Sequence, residues 1–70
     1  MEAREIRTWT SKDIEGRLED AQRELFALRR ELAMGRLEDH NRVRTVKRDV
    51  ARMKTILRER ELAELLEEAA

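Results

Sequence analysis

Five of the six cations between residues 44 and 58 recur at intervals that a helix gathers on one side. With Arg44 at zero and about 100° per residue, Lys47 falls at about −60°, Arg48 at about +40°, Arg52 at about +80° and Arg58 at about −40°. Ala51 and Thr55 are short, and they fall between these at about −20° and +20°. Such a face suits phosphate. Guanidinium groups give forked, charge-assisted hydrogen bonds to phosphate oxygens and stack on bases, while short residues at the centre let a backbone approach closely. A helix that only solvates itself usually alternates the sign of its charges, as residues 13–31 do. Here Asp49 and Glu59 stand nearer the edges. Arg44, Lys47, Arg48, Arg52, Thr55 and Arg58 are therefore the candidate contacts for RNA or another polyanion.

Other chemistry finds little support in the chain. It has no cysteine, so neither disulfides nor thiolate metal sites are expected. His40 is the sole histidine, and without clustered carboxylates it reads as a loop residue able to bond or stack on RNA rather than as a metal ligand. No nucleophile–base pair, glycine-rich phosphate loop or metal-ligand spacing is present, so no enzyme, cofactor or small-molecule substrate is expected. Small all-α chorismate mutases also grip a dianion with helical arginines, but only the helical order and an early arginine-rich helix are shared. No signal-peptide run or stretch of transmembrane length occurs, and a soluble cytoplasmic protein is expected. A membrane surface is a poor match for the basic face, because the apolar stripe opposite it is needed for helix pairing.

The formal net charge of zero conceals a strong asymmetry. Residues 1–35 balance to −1, residues 36–60 to +5 and residues 61–70 to −4. At physiological salt, fields decay over about 8 Å, so the local charge governs attraction to a polyanion.

The elements that position this face are helices. The chain is 46% charged, lacks proline and tyrosine, and is rich in Ala, Leu, Glu and Arg, a mixture that favours long helices over strands. The fold class is all-α. A short helix is expected over about residues 2–9, with Ile6 and Trp9 on one side. Thr10 is a candidate N-cap, with Asp13 three residues on. A long helix over about 11–34 carries Ile14, Leu18, Ala21, Leu25, Leu28 and Leu32 at alternating spacings of 4 and 3, a heptad-like seam. Asp13–Arg17 and Glu19–Arg23 stand four apart as acid-before-base pairs. Gly35 stands where a residue of positive φ ends such a helix.

A second long helix over about 40–61 is capped by Asp39 or Asn41 and carries Val43, Val46, Val50, Met53 and Leu57. Two seams joined by a short connection predict one domain spanning 1–70, an antiparallel two-helix, coiled-coil-like hairpin. Residues 62–70 form an acidic tail that either extends the helix or frays. Trp9 and Phe26 lie off the basic strip and are expected to pack between the short helix and the hairpin. Gly16 has no local rationale.

Two stretches resemble a known family. Glu24-Leu25-Phe26-Ala27-Leu28-Arg29 followed by Ala33-Met34-Gly35-Arg36-Leu37 is similar to the first half of bacterial ribosomal large-subunit protein twenty-nine. Asn41-Arg42-Val43-Arg44-Thr45-Val46-Lys47-Arg48-Asp49-Val50-Ala51-Arg52-Met53-Lys54-Thr55 resembles its second-half signature, and Arg4-Glu5-Ile6-Arg7 and Thr10–Asp13 fit as well. The resemblance covers roughly residues 2–61. It departs at Arg30, where many members are apolar, and at Arg36, where glutamine is common.

The resemblance implies a helical hairpin near the outer mouth of the peptide exit tunnel, a structural ribonucleoprotein component that supports translation. Its implied partners are 23S ribosomal RNA and the neighbouring ribosomal large-subunit protein twenty-three, with chaperones or targeting factors docking nearby. By position it makes Arg44, Lys47, Arg48 and Arg52 RNA contacts, and adds Arg36, His40 and Arg42 near the hairpin turn. The acidic tail should point away from RNA. The competing expectation is a coiled-coil interaction module whose cationic face meets an acidic protein and is indifferent to RNA.

Overall fold

The computed structural model describes residues 1–36 and 39–70, and its helices are α1 (Ala3–Ile6), α2 (Ser11–Ala33) and α3 (His40–Ala69). No strand occurs among the described residues. The long helices begin and end on local chemistry. The Thr10 hydroxyl accepts the Asp13 N–H at 3.1 Å, which starts α2. At the other end Gly35 takes φ 70°. There the Arg36 N–H donates to the Glu31 carbonyl at 2.8 Å and the Gly35 N–H to that of Leu32 at 3.1 Å, the paired bonds of a Schellman stop. Leu37 and Glu38, in the middle of the expected connection, lie outside the described residues. Of the two candidate caps for α3 it is Asp39 that serves, its Oδ1 accepting the Asn41 N–H at 3.0 Å.

α2 and α3 pack as an antiparallel hairpin, as their paired seams predict. Arg60, two-thirds of the way along α3, reaches Ser11 at the start of α2, and Arg42 near the start of α3 reaches Glu24 farther along α2. The core falls into two clusters that share Leu18 and Ala21. Toward the hairpin turn, Leu25, Val46 and Val50 are buried, with Leu28 and Val43 against them. At the open end α1 folds across the hairpin and adds Ile6 to Ile14, Met53 and Ile56, with Trp9 and Leu57 packed alongside. The seam therefore shifts on α3: Ile56 is buried and Leu57 only half-buried. Ile56 lies at about 120° on the wheel used above, the side from which α1 approaches. On α2 the seam closes at Leu28, and Leu32 is 43% exposed.

Three further features differ from expectation, and one open alternative is decided. The N-terminal helix stops at Ile6 rather than Trp9, because the Thr8 hydroxyl and N–H both donate to the Glu5 carbonyl and close a turn. Of the two alternatives for residues 62–70 it is extension that occurs, and α3 runs to Ala69; the Leu, Ala and Glu there are strong helix formers with no breaker among them. The i,i+4 pair Glu19–Arg23 forms at 2.7 Å, but Arg17 turns from Asp13 to lie 4.0 Å over the Trp9 ring, a cation–π contact. Phe26 does not pack under α1. It is 65% exposed, since α1 covers only the open end of the hairpin.

Arg60 holds the junction of α1 and α2. Its guanidinium donates to the carbonyls of Trp9 at 2.9 Å and Arg7 at 3.3 Å, and to Ser11 Oγ at 2.9 Å. The turn leaves those carbonyls without helical partners, and a forked donor satisfies them together.

Gly16 is exposed within α2, and a Cβ built on it meets nothing within 4 Å. Glycine costs about 1 kcal/mol of helix propensity against alanine. Gly16→Ala should therefore raise stability by about that amount and the thermal midpoint by roughly 4–8 °C. Thermal unfolding followed by circular dichroism checks this; an unchanged or lower midpoint would contradict it.

Candidate nucleic-acid interface

The basic face forms on α3 because the opposite side of that helix is committed to the core. Val46, Val50, Met53 and Ile56 are buried against α2 and α1, which turns Arg44, Lys47, Arg48, Ala51, Thr55 and Arg58 outward, all exposed. From Arg44 to Arg58 the face runs about 21 Å along the helix axis. Among the described residues, none of Arg44, Lys47, Arg48 and Arg58 has a carboxylate within salt-bridge distance. Their charge is therefore available to an outside anion.

The other predicted contacts are placed differently. Arg52 is half-buried at the edge of the face and donates to the Met1 carbonyl, so part of its guanidinium is taken up within the chain. The Thr55 hydroxyl donates to the Ala51 carbonyl at 2.8 Å. Its hydrogen is thereby occupied, and what it offers a ligand is an acceptor and a low profile rather than a donor to phosphate. Arg42 lies outside the strip: its Nε donates to Glu24 Oε1 at 2.7 Å and ties α3 to α2. Arg36 and His40 are exposed at the hairpin turn, beyond the end of the face.

Of the grooves between α2 and α3, one at the open end is lined by Glu15, Glu61 and Glu64 beside Arg60, and two nearer the hairpin turn carry opposite characters. One is lined by Asp20, Glu24 and Asp49, which are offset by Arg17 and Arg42. The other holds Phe26 and Arg29 of α2 facing Lys47 and Lys54 of α3, with no carboxylate in its lining. Lys47 belongs to both this groove and the outward face, so there the positive surface continues from α3 onto Arg29 of α2. Reasoning from α3 by itself missed Arg29 and Lys54. The wheel held a signal for Lys54, which falls at about −80°, next to Lys47. Arg29 required knowledge of which side of α2 meets α3.

No group of metal-ligating side chains occurs among the described residues, and no helix is long and apolar enough to cross a membrane. The arrangement is suited to holding an extended polyanion along one side of a rod.

Comparison with known proteins agrees with the resemblance carried by the two signature stretches. A family model described as ribosomal L29 protein matches residues 4–60. Large ribosomal subunit protein uL29 of Geobacillus stearothermophilus is 54% identical over 63 residues, covering 90% of this chain and 96% of that protein. The proteins of the same name from Staphylococcus haemolyticus and Thermotoga maritima are each 48% identical, over 91% and 89% of this chain and 93% and 94% of their own lengths. At this identity and coverage the chain belongs to the ribosomal L29 protein family.

Proposed function

We propose that this chain is a structural constituent of the large ribosomal subunit that grips 23S ribosomal RNA through the outward face of α3. The observation that carries the reading is the cationic row Arg44, Lys47, Arg48 and Arg58, without a carboxylate partner among the described residues and set opposite a packed seam. Membership of a ribosomal protein family makes RNA the polyanion of choice. Arg52 joins the row if it exchanges Met1 for phosphate, Thr55 lets the backbone close in, and Arg36, His40 and Arg42 extend contact at the turn. Such contacts fix position and orientation without reading sequence; specificity comes from the folded shape of the RNA. The family resemblance supports a place at the exterior of the peptide exit tunnel beside ribosomal large-subunit protein twenty-three, where chaperones or targeting factors dock. The four glutamates of residues 61–68 keep the end of α3 away from the RNA.

The mechanism is counterion release, and it has a measurable slope. Four cations on phosphates lower log affinity with log salt by at least roughly 2.8 to 3.6 per decade, on single-strand and duplex coefficients respectively. Binding of the full chain to purified large-subunit RNA, titrated in salt, reads this directly. Sedimentation of the tagged chain through sucrose with magnesium supplies the cellular counterpart. Co-migration with the large subunit, lost when magnesium is removed, is the expected result. A slow peak that nuclease does not alter would overturn the reading in favour of an acidic protein partner.

A further inference from the structure

Of the chain's Phe and Trp rings, Phe26 is the one left in water. It is 65% exposed, whereas Trp9 is half-buried beneath Arg17. Its position is what gives that exposure meaning. Phe26 lines an open groove of about 480 Å³ between the long helices. Leu25 and Val50 form an apolar floor, and Arg29, Lys47 and Lys54 stand around it. All three cations are exposed, and none has an acidic partner among the described residues.

We propose that this groove seats an unpaired base of the bound RNA, stacked on Phe26, with its flanking phosphates held by Arg29, Lys47 and Lys54. The proposal rests on the RNA-binding reading above and goes beyond it, because a row of cations contacts backbone whereas an aromatic platform captures a base. Unpaired nucleotides are the part of RNA that proteins recognise by stacking on aromatic rings and by hydrogen bonds to base edges. The groove provides both kinds of group, for Gln22 also lines it and its carboxamide offers a donor and an acceptor. Charge selects this occupant over an acid-free apolar peptide: every charged residue of the lining is a cation, and the opposite groove, with its three carboxylates, lacks an aromatic ring. Lys47 joins the seat to the outward face, so one RNA strand can lie along α3 and turn a base into the groove.

Two measurements on the full chain test this, both with purified large-subunit RNA. The first uses the double variant Trp9→Phe with Phe26→Trp, whose single indole reports on the groove. Its emission should be quenched in step with saturation, while Trp9 of the unaltered chain changes little. The second compares salt-titrated affinities. Phe26→Leu should weaken binding by roughly 5- to 140-fold, the range of one base–aromatic stack, with an unchanged salt slope. Arg29→Gln with Lys54→Gln should make the slope shallower by roughly 1.4 to 1.8. Phe26 and both cations are exposed, and circular dichroism should confirm an unaltered fold. An unquenched indole at saturation, with Phe26→Leu within twofold, would overturn the base seat and leave the α3 face standing. Failure of that same variant to enter subunits would then assign the groove to a neighbouring protein. If the unaltered chain does not bind the RNA at all, the face and the seat fall together.

Discussion

Reversing two charges at once, Lys47→Glu with Arg48→Glu, is expected to remove the chain from assembled large subunits while leaving its helix content unchanged. Both side chains are exposed, and neither is paired among the described residues, so folding does not depend on them. Glutamate forms helix about as well as lysine or arginine. At the interface, each substitution removes an attraction and adds a repulsion. A pair of charges about 4 Å apart in bulk water is worth about 1 kcal/mol. Four such changes come to about 4 kcal/mol, or about 10³-fold in affinity. Sedimentation of the tagged variant beside the unaltered chain reads the outcome, with circular dichroism as the check on folding. Normal incorporation would refute the face.

The second large effect concerns the core rather than the surface. Met53→Ala should unfold most of the free chain at 37 °C. Met53 is fully buried where α1, α2 and α3 meet, against Ile6, Ile14 and Ile56. Truncating such a residue costs about 2–5 kcal/mol, and a single core in a chain this short rarely supplies more than about 3–5 kcal/mol. Urea unfolding followed by circular dichroism measures the loss. Leu66→Ala is the matching control: Leu66 is 71% exposed on the unpartnered end of α3, and its truncation should change stability by less than about 0.5 kcal/mol. Equal losses at both positions would mean that the core does not lie where α1 crosses the hairpin.

The two effects are separable because the chain divides its labour by helix face. Core contacts are made by one side of α3 and candidate RNA contacts by the other, so each variant strikes one function. Arg52 is the exception. It stands at the edge of the basic face and also donates to the Met1 carbonyl, so changing it disturbs the N-terminal segment as well as any phosphate contact. For the same reason Arg42, bonded to Glu24 across the hairpin, is a poor choice for isolating an RNA contact.

What the sequence by itself determined is the set of features that depend on near neighbours along the chain. The seams of α2 and α3, the Thr10 cap, the stop at Gly35 and the outward turn of Arg44, Lys47, Arg48 and Arg58 all follow from spacings of three or four residues and from caps. Their physics is local to one helix. Only the tertiary structure decided how the helices sit side by side. The approach of α1 buried Ile56 ahead of Leu57 and left Phe26 uncovered. The antiparallel register set Arg42 on Glu24 and Arg60 on the carbonyls of the α1–α2 turn. It also made one groove cationic and gave the opposite one three carboxylates. Helical periodicity says which face of each helix is apolar, but not which residues beside that face will meet across the groove. That depends on the axial offset of the two helices and on α1 packing over their open end, contacts between residues far apart in the chain.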